Sequence, residues 1–265
     1  MYDFDYAKPA TVADAVKALG AEDSQPIAGG QTLIPTLKQR LARPTVFVDL
    51  AKIDEMKGIE VSGDSVTIRG ATTHAAVASS PEVRAKIPGL ADLAGRIGDP
   101  QVRNRGTIGG SVANDDPAAC YPAAVLGLGA TVLTDRREIP ADDFFIAMFT
   151  TALEEGEIVT GVRFPIPEKS NYQKFIQPAS RFPLTAVYAA KTASGPRIAV
   201  TGASNDGVFR WSEAEQALAS TWSADAIDPL ATPDSSGMIG DIHGSPEYRA
   251  HLVKVLTKRA VAAAA

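Results

Sequence analysis

The sequence predicts an α+β fold, and three observations carry that expectation. Helical and strand patterns mix through the first two thirds of the chain without the regular strand–helix–strand spacing of a doubly wound sheet. Three strand-like runs, "NYQKFIQ", "LTAVYAAKTA" and "PRIAVTGAS", then follow one another with no helix between them, which makes antiparallel pairing the simplest arrangement. A long helical pattern closes the chain.

The first element is a helix in "PATVADAVKALG". Thr11 caps it, Asp14 lies in its first turn, Val12, Ala15, Val16 and Leu19 share one face, and Gly20 ends it. A short strand at 25–28, a Gly-Gly turn and a helix over 32–41 come next, then the strand "TVFVDL" at 45–50. "KGIEVSG" and "SVTIRG" alternate apolar and polar residues around an "SGD" turn, which marks a hairpin. Residues 71–98 read as mostly helical, with Thr72 or Thr73 as a cap and Pro81 opening a further helix. "YPAAVLGLG" (121–129) is a buried helix, "ATVLTD" a strand, and "GEIVTGVRFPIP" (156–167) another. The prolines of "PIPEKSN" deny the backbone both helical and central-strand hydrogen bonds, so this segment is the expected linker and the chain divides near residue 168. After the three strands, a polar stretch at 219–237 precedes the last helix, capped by Ser245 with Glu247 in its first turn. No repeat of 20–50 residues is apparent.

Composition limits the chemistry. A length of 265 residues suffices for one large domain or two smaller ones. The net charge of -5 argues against a nucleic-acid binder, which carries a basic surplus. The opening "MYDFDYAKPA" has no secretion pattern and no run approaches a membrane span, so the reading is cytoplasmic. One cysteine, Cys120, and three histidines, His74, His243 and His251, exclude an internal disulfide and a cysteine-ligated cluster. No metal-ligand spacing is visible, so any iron–sulfur chemistry belongs to another chain.

Two loops stand out: "PIAGGQTLIPTLK" (26–38) and "RNRGTIGGSVANDDP" (103–117). Each sets a Gly-Gly pair before a small polar residue and a helix. Glycine accepts positive φ and carries no Cβ to hold a ligand off the backbone. Successive amides in such turns form an anion-binding concavity, so the expectation is one diphosphate held by both loops without a lysine. Gln31 and Thr32 add side-chain donors, Arg103 and Arg105 precede the second loop, and Asn114, Asp115 and Asp116 follow it. Neither loop fits the dinucleotide fingerprint G-x-G-x-x-G or the phosphate-loop pattern G-x-x-x-x-G-K-[ST].

Together, "AGGQTLIPTLK" and "RNRGTIGGSVANDDPAACYPAA" resemble the flavin-binding medium subunit of molybdenum hydroxylases, the group of aerobic carbon monoxide dehydrogenase and xanthine dehydrogenase. The resemblance extends from "FDYAKPATVADAVKAL" to "GDIHGSPEYRAHLVKVLTKRA". It implies a two-part FAD-binding domain of the vanillyl-alcohol-oxidase (PCMH) type over residues 1–168. Residues 169–265 would form the family's small domain, a three-stranded sheet packed with helices. Ile27, Ala28, Gly29, Gly30, Gln31, Thr32, Leu33 and Ile34 would clasp the FAD diphosphate together with Thr107, Ile108, Gly109, Gly110 and Ser111. Asn114 and Asp115 would lie near the ribityl and phosphate groups, and Ile158 would meet the flavin or adenine through its backbone. Tyr172, Lys174 and Gln177 would cover the isoalloxazine.

Three positions depart from the family pattern. Cys120 stands where many relatives carry aspartate, Gln177 where xanthine dehydrogenases carry a lysine near the flavin, and Gln31 where the carbon monoxide enzymes carry histidine. Charge stabilisation of reduced flavin then falls to Lys174 or backbone donors. The resemblance places a molybdenum cofactor on a large partner and [2Fe-2S] clusters on a small one, in a dimer of three-chain units. The FAD would pass their electrons to oxygen, NAD or a quinone. The alternatives are a self-contained flavin reductase of the enolpyruvyl-sugar-nucleotide type, for which Ser180 and Arg181 are the candidate residues, and a nucleotide-binding module without redox function. His74, His243 and His251 read as structural or surface residues, and Trp211 and Trp222 as packing residues.

Overall fold

The structure, a computed structural model, describes residues 1–264. The chain opens with β1 (Asp5–Ala7), α1 (Val12–Ala18), β2 (Ser24–Ile27), α2 (Leu33–Lys38) and β3 (Val46–Asp49). The three strands form a parallel sheet in the order β1-β3-β2. Thr11 caps α1 by accepting from the Asp14 amide at 3.1 Å, as its sequence position predicts. The helix expected over 32–41 is shorter. Arg40 turns left-handed at φ 59°, and the Arg40 and Leu41 amides close back onto Leu37 and Thr36, which ends the helix. Ala15, Leu19, Val48, Leu50, Ile53 and Met56 form a small core here, completed by Ala71 and Ile158 from later in the chain.

A larger second lobe follows. Its strands β4 (Ile59–Ser62) and β5 (Ser65–Arg69) make the expected hairpin. Six helices come next: α3 (His74–Ser79), α4 (Pro81–Lys86), α5 (Pro88–Gly95), α6 (Pro100–Arg103), α7 (Ile108–Asn114) and α8 (Tyr121–Gly127). Proline opens α4, α5 and α6, where its missing N–H removes no helical bond. The lobe closes with β6 (Thr131–Thr134), β7 (Glu138–Pro140), α9 (Ala141–Phe144), β8 (Phe145–Ala147), β9 (Thr150–Thr151) and β10 (Val159–Pro165). Antiparallel β4-β5-β10-β6-β7 puts β10 at the centre of a five-stranded sheet, so Ile158 sits just where the two lobes meet.

The rest of the chain is β11 (Lys169–Ile176), β12 (Pro183–Thr192), β13 (Gly195–Ser204), β14 (Gly207–Arg210), α10 (Ser212–Ser220) and α11 (Pro246–Ala263). The three expected strands pair antiparallel, and the short β14 adds a fourth at the edge, where the chain folds straight back from β13. Tyr172, Ala186, Tyr188, Ala190 and Ala199 turn one sheet face into the core of the second lobe. Leu184, Val187, Ala189, Ile198 and Val200 turn the other face toward α10 and α11. The expected linker is also tighter than its prolines suggest. The Ile166 amide donates to Asp64 at 2.7 Å and the Glu168 amide to Lys191 at 2.8 Å, which fixes the crossing to both sides. Among the described residues no helix is long and apolar enough to cross a membrane.

Candidate cofactor cleft

A cleft of about 890 Å³ runs where the two lobes and the C-terminal sheet meet, near the upper end for cofactor pockets. Its shape depends on backbone packed against backbone. A Cβ on Gly29 would stand 2.1 Å from the Arg105 carbonyl oxygen and 2.7 Å from Gly106 Cα, so only glycine lets the two loops touch. Gly109 packs the same way on Gly70, with 2.7 Å from its would-be Cβ to the Gly70 oxygen. Gly30 serves differently: its φ of +68° turns the chain out of β2 and into α2.

The two loops are not chemically equivalent, contrary to expectation. In the second, the Ile108 amide donates to Thr72, Gly109 to Gly70, and Ser111 to the Thr107 carbonyl, at 2.9–3.1 Å. The Gly110 amide is capped by Thr107 Oγ1 at 3.2 Å. Between Thr107 and Ser111 only the Thr107 amide is left without an acceptor among the described residues. In the first loop, by contrast, the consecutive amides of Gly29, Gly30, Gln31, Thr32 and Leu33 all lack an acceptor among the described residues. These five residues line the cleft. Unsatisfied amides in succession are a ready binding surface for an anion. The second loop acts mainly as the buttress that holds the first in place.

Around this cradle sit three buried polar groups. His74 opens α3 beneath Gly106; its Nδ1 has no partner among the described residues. Burial, and then the Arg103 charge, push its pKa down to about 4, so the ring facing the cleft is neutral near pH 7. Lys174 on β11 donates to the Arg96 carbonyl at 2.9 Å and contacts Cys120 Sγ at 3.5 Å, and both side chains line the cleft. Glu157 is held by two bonds of 3.0 Å from Arg137 and one of 2.8 Å from the Glu154 amide. The Arg137 bonds draw its pKa down to about 2.

Of the sequence-predicted residues, Ile27, Ala28, Gly29, Gly30, Gln31, Thr32 and Leu33 line the cleft. So do Thr107, Gly109, Gly110, Ser111, Asn114, Cys120, Ile158 and Lys174. Five predicted residues do not reach its wall. Ile34 packs under Gly30, and Ile108 is a core side chain. Asp115 ends α7 in a left-handed turn at φ 42°, which puts Asn114 and Asp116 on the wall and turns Asp115 inward. Burial and Asp116 raise its carboxyl pKa to about 7. Tyr172 lies in the core beneath the Arg96 guanidinium, 5.6 Å from the ring centre. Gln177 bonds His243 Nδ1 at 2.7 Å and receives the Arg181 amide at 2.9 Å, closing a loop that places Ser180, Arg181 and Phe182 on the wall instead. Three further residues of the cleft wall, His74, Gly70 and Gly106, were not expected there from the sequence. Their only signal is contact with residues distant in the chain.

The fold and cleft therefore define a two-lobed α+β protein built to hold a diphosphate-bearing cofactor. Residues 2–167 match the family described as FAD binding domain in molybdopterin dehydrogenase. The nicotine 6-hydroxylase medium subunit of Paenarthrobacter nicotinovorans is 37% identical over 270 residues, covering 97% of this chain and 95% of that protein. Reconstituted CO dehydrogenase from Oligotropha carboxidovorans superposes with a TM-score of 0.89 at 33% identity, over 98% of this chain and 97% of the other. Quinoline 2-oxidoreductase from Pseudomonas putida 86 gives 0.88 at 29% identity, over 98% and 96%. The chain belongs to the family of FAD-binding medium subunits of molybdenum hydroxylases.

Proposed function

We propose that this cleft holds one FAD, with its diphosphate on the amides of Gly29, Gly30, Gln31, Thr32 and Leu33. The support is that accounting: five consecutive donors without acceptors among the described residues, on a loop locked backbone-to-backbone against Arg105 and Gly106. Thr107, Ser111 and Asn114 contribute at the edge of the diphosphate and ribityl chain, and Ile158 closes the lobe junction. Residues 1–168 are the FAD-binding domain and 169–265 the C-terminal domain of the carbon monoxide dehydrogenase flavoprotein type.

When bound, FAD supplies the redox chemistry, taking electrons from [2Fe-2S] clusters of a small partner subunit and giving them to a terminal acceptor. The protein's own residues bind, orient and tune it. Substrate oxidation would belong to a molybdenum cofactor on a large partner, so no nucleophile or general acid is required here. Assembly is a heterotrimer, paired into a dimer of heterotrimers, and the location is cytoplasmic. Purified chain should show flavin absorption or take up added FAD at one equivalent. Colourless protein that refuses FAD would overturn the reading.

A further inference from the structure

Lys174 is a buried cation without an anion. Only 6% of it is exposed, and no carboxylate lies within ion-pairing distance among the described residues. The other deeply buried cations are matched: Arg197 with Asp142 at 2.6 Å and Arg249 with Asp241 at 2.8 Å. A carbonyl and a thiol hold the Lys174 ammonium, and neither supplies a full negative charge. Burying an ammonium this way is costly unless an opposite charge arrives, and burial indeed lowers its pKa. Lys174 nevertheless lines the cleft.

We infer, resting on the FAD reading above, that Lys174 is the counter-charge for the isoalloxazine when it is reduced, held in position by the Arg96 carbonyl and Cys120 Sγ. FAD carries negative charge in only two places: permanently on the diphosphate, and on the isoalloxazine after reduction. The first-lobe amides meet the diphosphate. Adenine is never anionic, so an unmatched cation elsewhere on the wall marks the flavin end. Two electrons and one proton convert the neutral oxidised ring to a monoanion, which the ammonium then balances. Lys174 thus favours reduced over oxidised cofactor and raises the potential at which electrons are accepted.

The test is a spectroelectrochemical titration of the full FAD-loaded chain as wild type, Lys174→Gln, Lys174→Arg and Cys120→Ala. Lys174→Gln should bind oxidised FAD nearly as wild type but reduced FAD about tenfold more weakly, a midpoint drop of about 30 mV for a two-electron couple. Lys174→Arg should recover most of that drop, and Cys120→Ala should give a smaller one. A wild-type potential in Lys174→Gln overturns the inference, as does an equal drop in the arginine variant, which would assign the effect to packing. Should Lys174→Gln not fold, wild-type chain loaded with 8-mercapto-FAD decides. A long-wavelength quinoid spectrum, with the charge drawn onto the pyrimidine ring, supports the inference, and the simple thiolate spectrum sinks it. Wild type that takes up no FAD at all would instead refute the FAD reading on which this rests.

Discussion

At Gly29 a single hydrogen holds two loops together. Gly29→Ala places a methyl 2.1 Å from a backbone oxygen of Arg105, and a backbone cannot rotate aside as a side chain can. The loops must separate, so FAD affinity should fall by at least about tenfold, with loss of stability of about 1–3 kcal/mol. Gly110→Ala separates the two effects, because its methyl meets only Thr107 Oγ1, at 3.1 Å. Stability should stay within about 0.5 kcal/mol of wild type, while FAD uptake still weakens. Fluorescence titration and thermal melts of both variants check this. If Gly29→Ala binds FAD as wild type does, the loop contact is not what shapes the cradle. His74 gives a second residue-scale expectation. Its native pKa of about 4 lies below the usual histidine value, so the unfolded chain binds the extra proton as pH falls. The stability it contributes is complete above about pH 6.5 and is lost progressively toward pH 4. Between pH 7 and pH 5 the loss should be about 2 kcal/mol. His74→Gln should remove that slope from urea-unfolding curves; an unchanged slope would mean another group carries it.

At the scale of elements, α7 is a scaffold whose amides are already satisfied. Thr107 caps it through Gly110, so Thr107→Ala should cost about 1 kcal/mol while Thr107→Ser keeps the cap. Equal melting temperatures for the two variants would show that the cap contributes nothing. Much of this was legible in the sequence: two Gly-Gly turns, the helix opened by Pro81, the hairpin around "SGD" and the three consecutive strands are local signals. What each glycine does was not. Gly29 answers to Arg105 and Gly109 to Gly70, and such contacts leave no mark in local periodicity. The same holds for the second loop's amides, which looked free because their acceptors, Gly70 and Thr72, lie more than thirty residues earlier. Gln177, expected at the cofactor, lies off the cleft wall and closes a loop through its bond to His243. That bond depends on a turn 66 residues away.

At the scale of the molecule, the cleft draws its walls from three cores. Loop one belongs to the small first-lobe core, loop two to the central core, and Lys174 to the sheet that the central and C-terminal cores share. The first core is the smallest, so in cofactor-free protein it should be the least stable unit. Trp211 and Trp222, the chain's two tryptophans, both pack on the C-terminal core. Indole fluorescence therefore reports that core, while far-UV circular dichroism reports all three. Without FAD, the dichroism signal should begin to melt at lower temperature than the fluorescence. A cofactor gripping all three walls stabilises the native arrangement by about 2.7 kcal/mol at a hundred times its Kd, and it does so only when the lobes are joined. With saturating FAD the two transitions should move upward and coincide. Coincident transitions in the cofactor-free chain would show that the cores already melt as one, and that the cleft is not their coupling point.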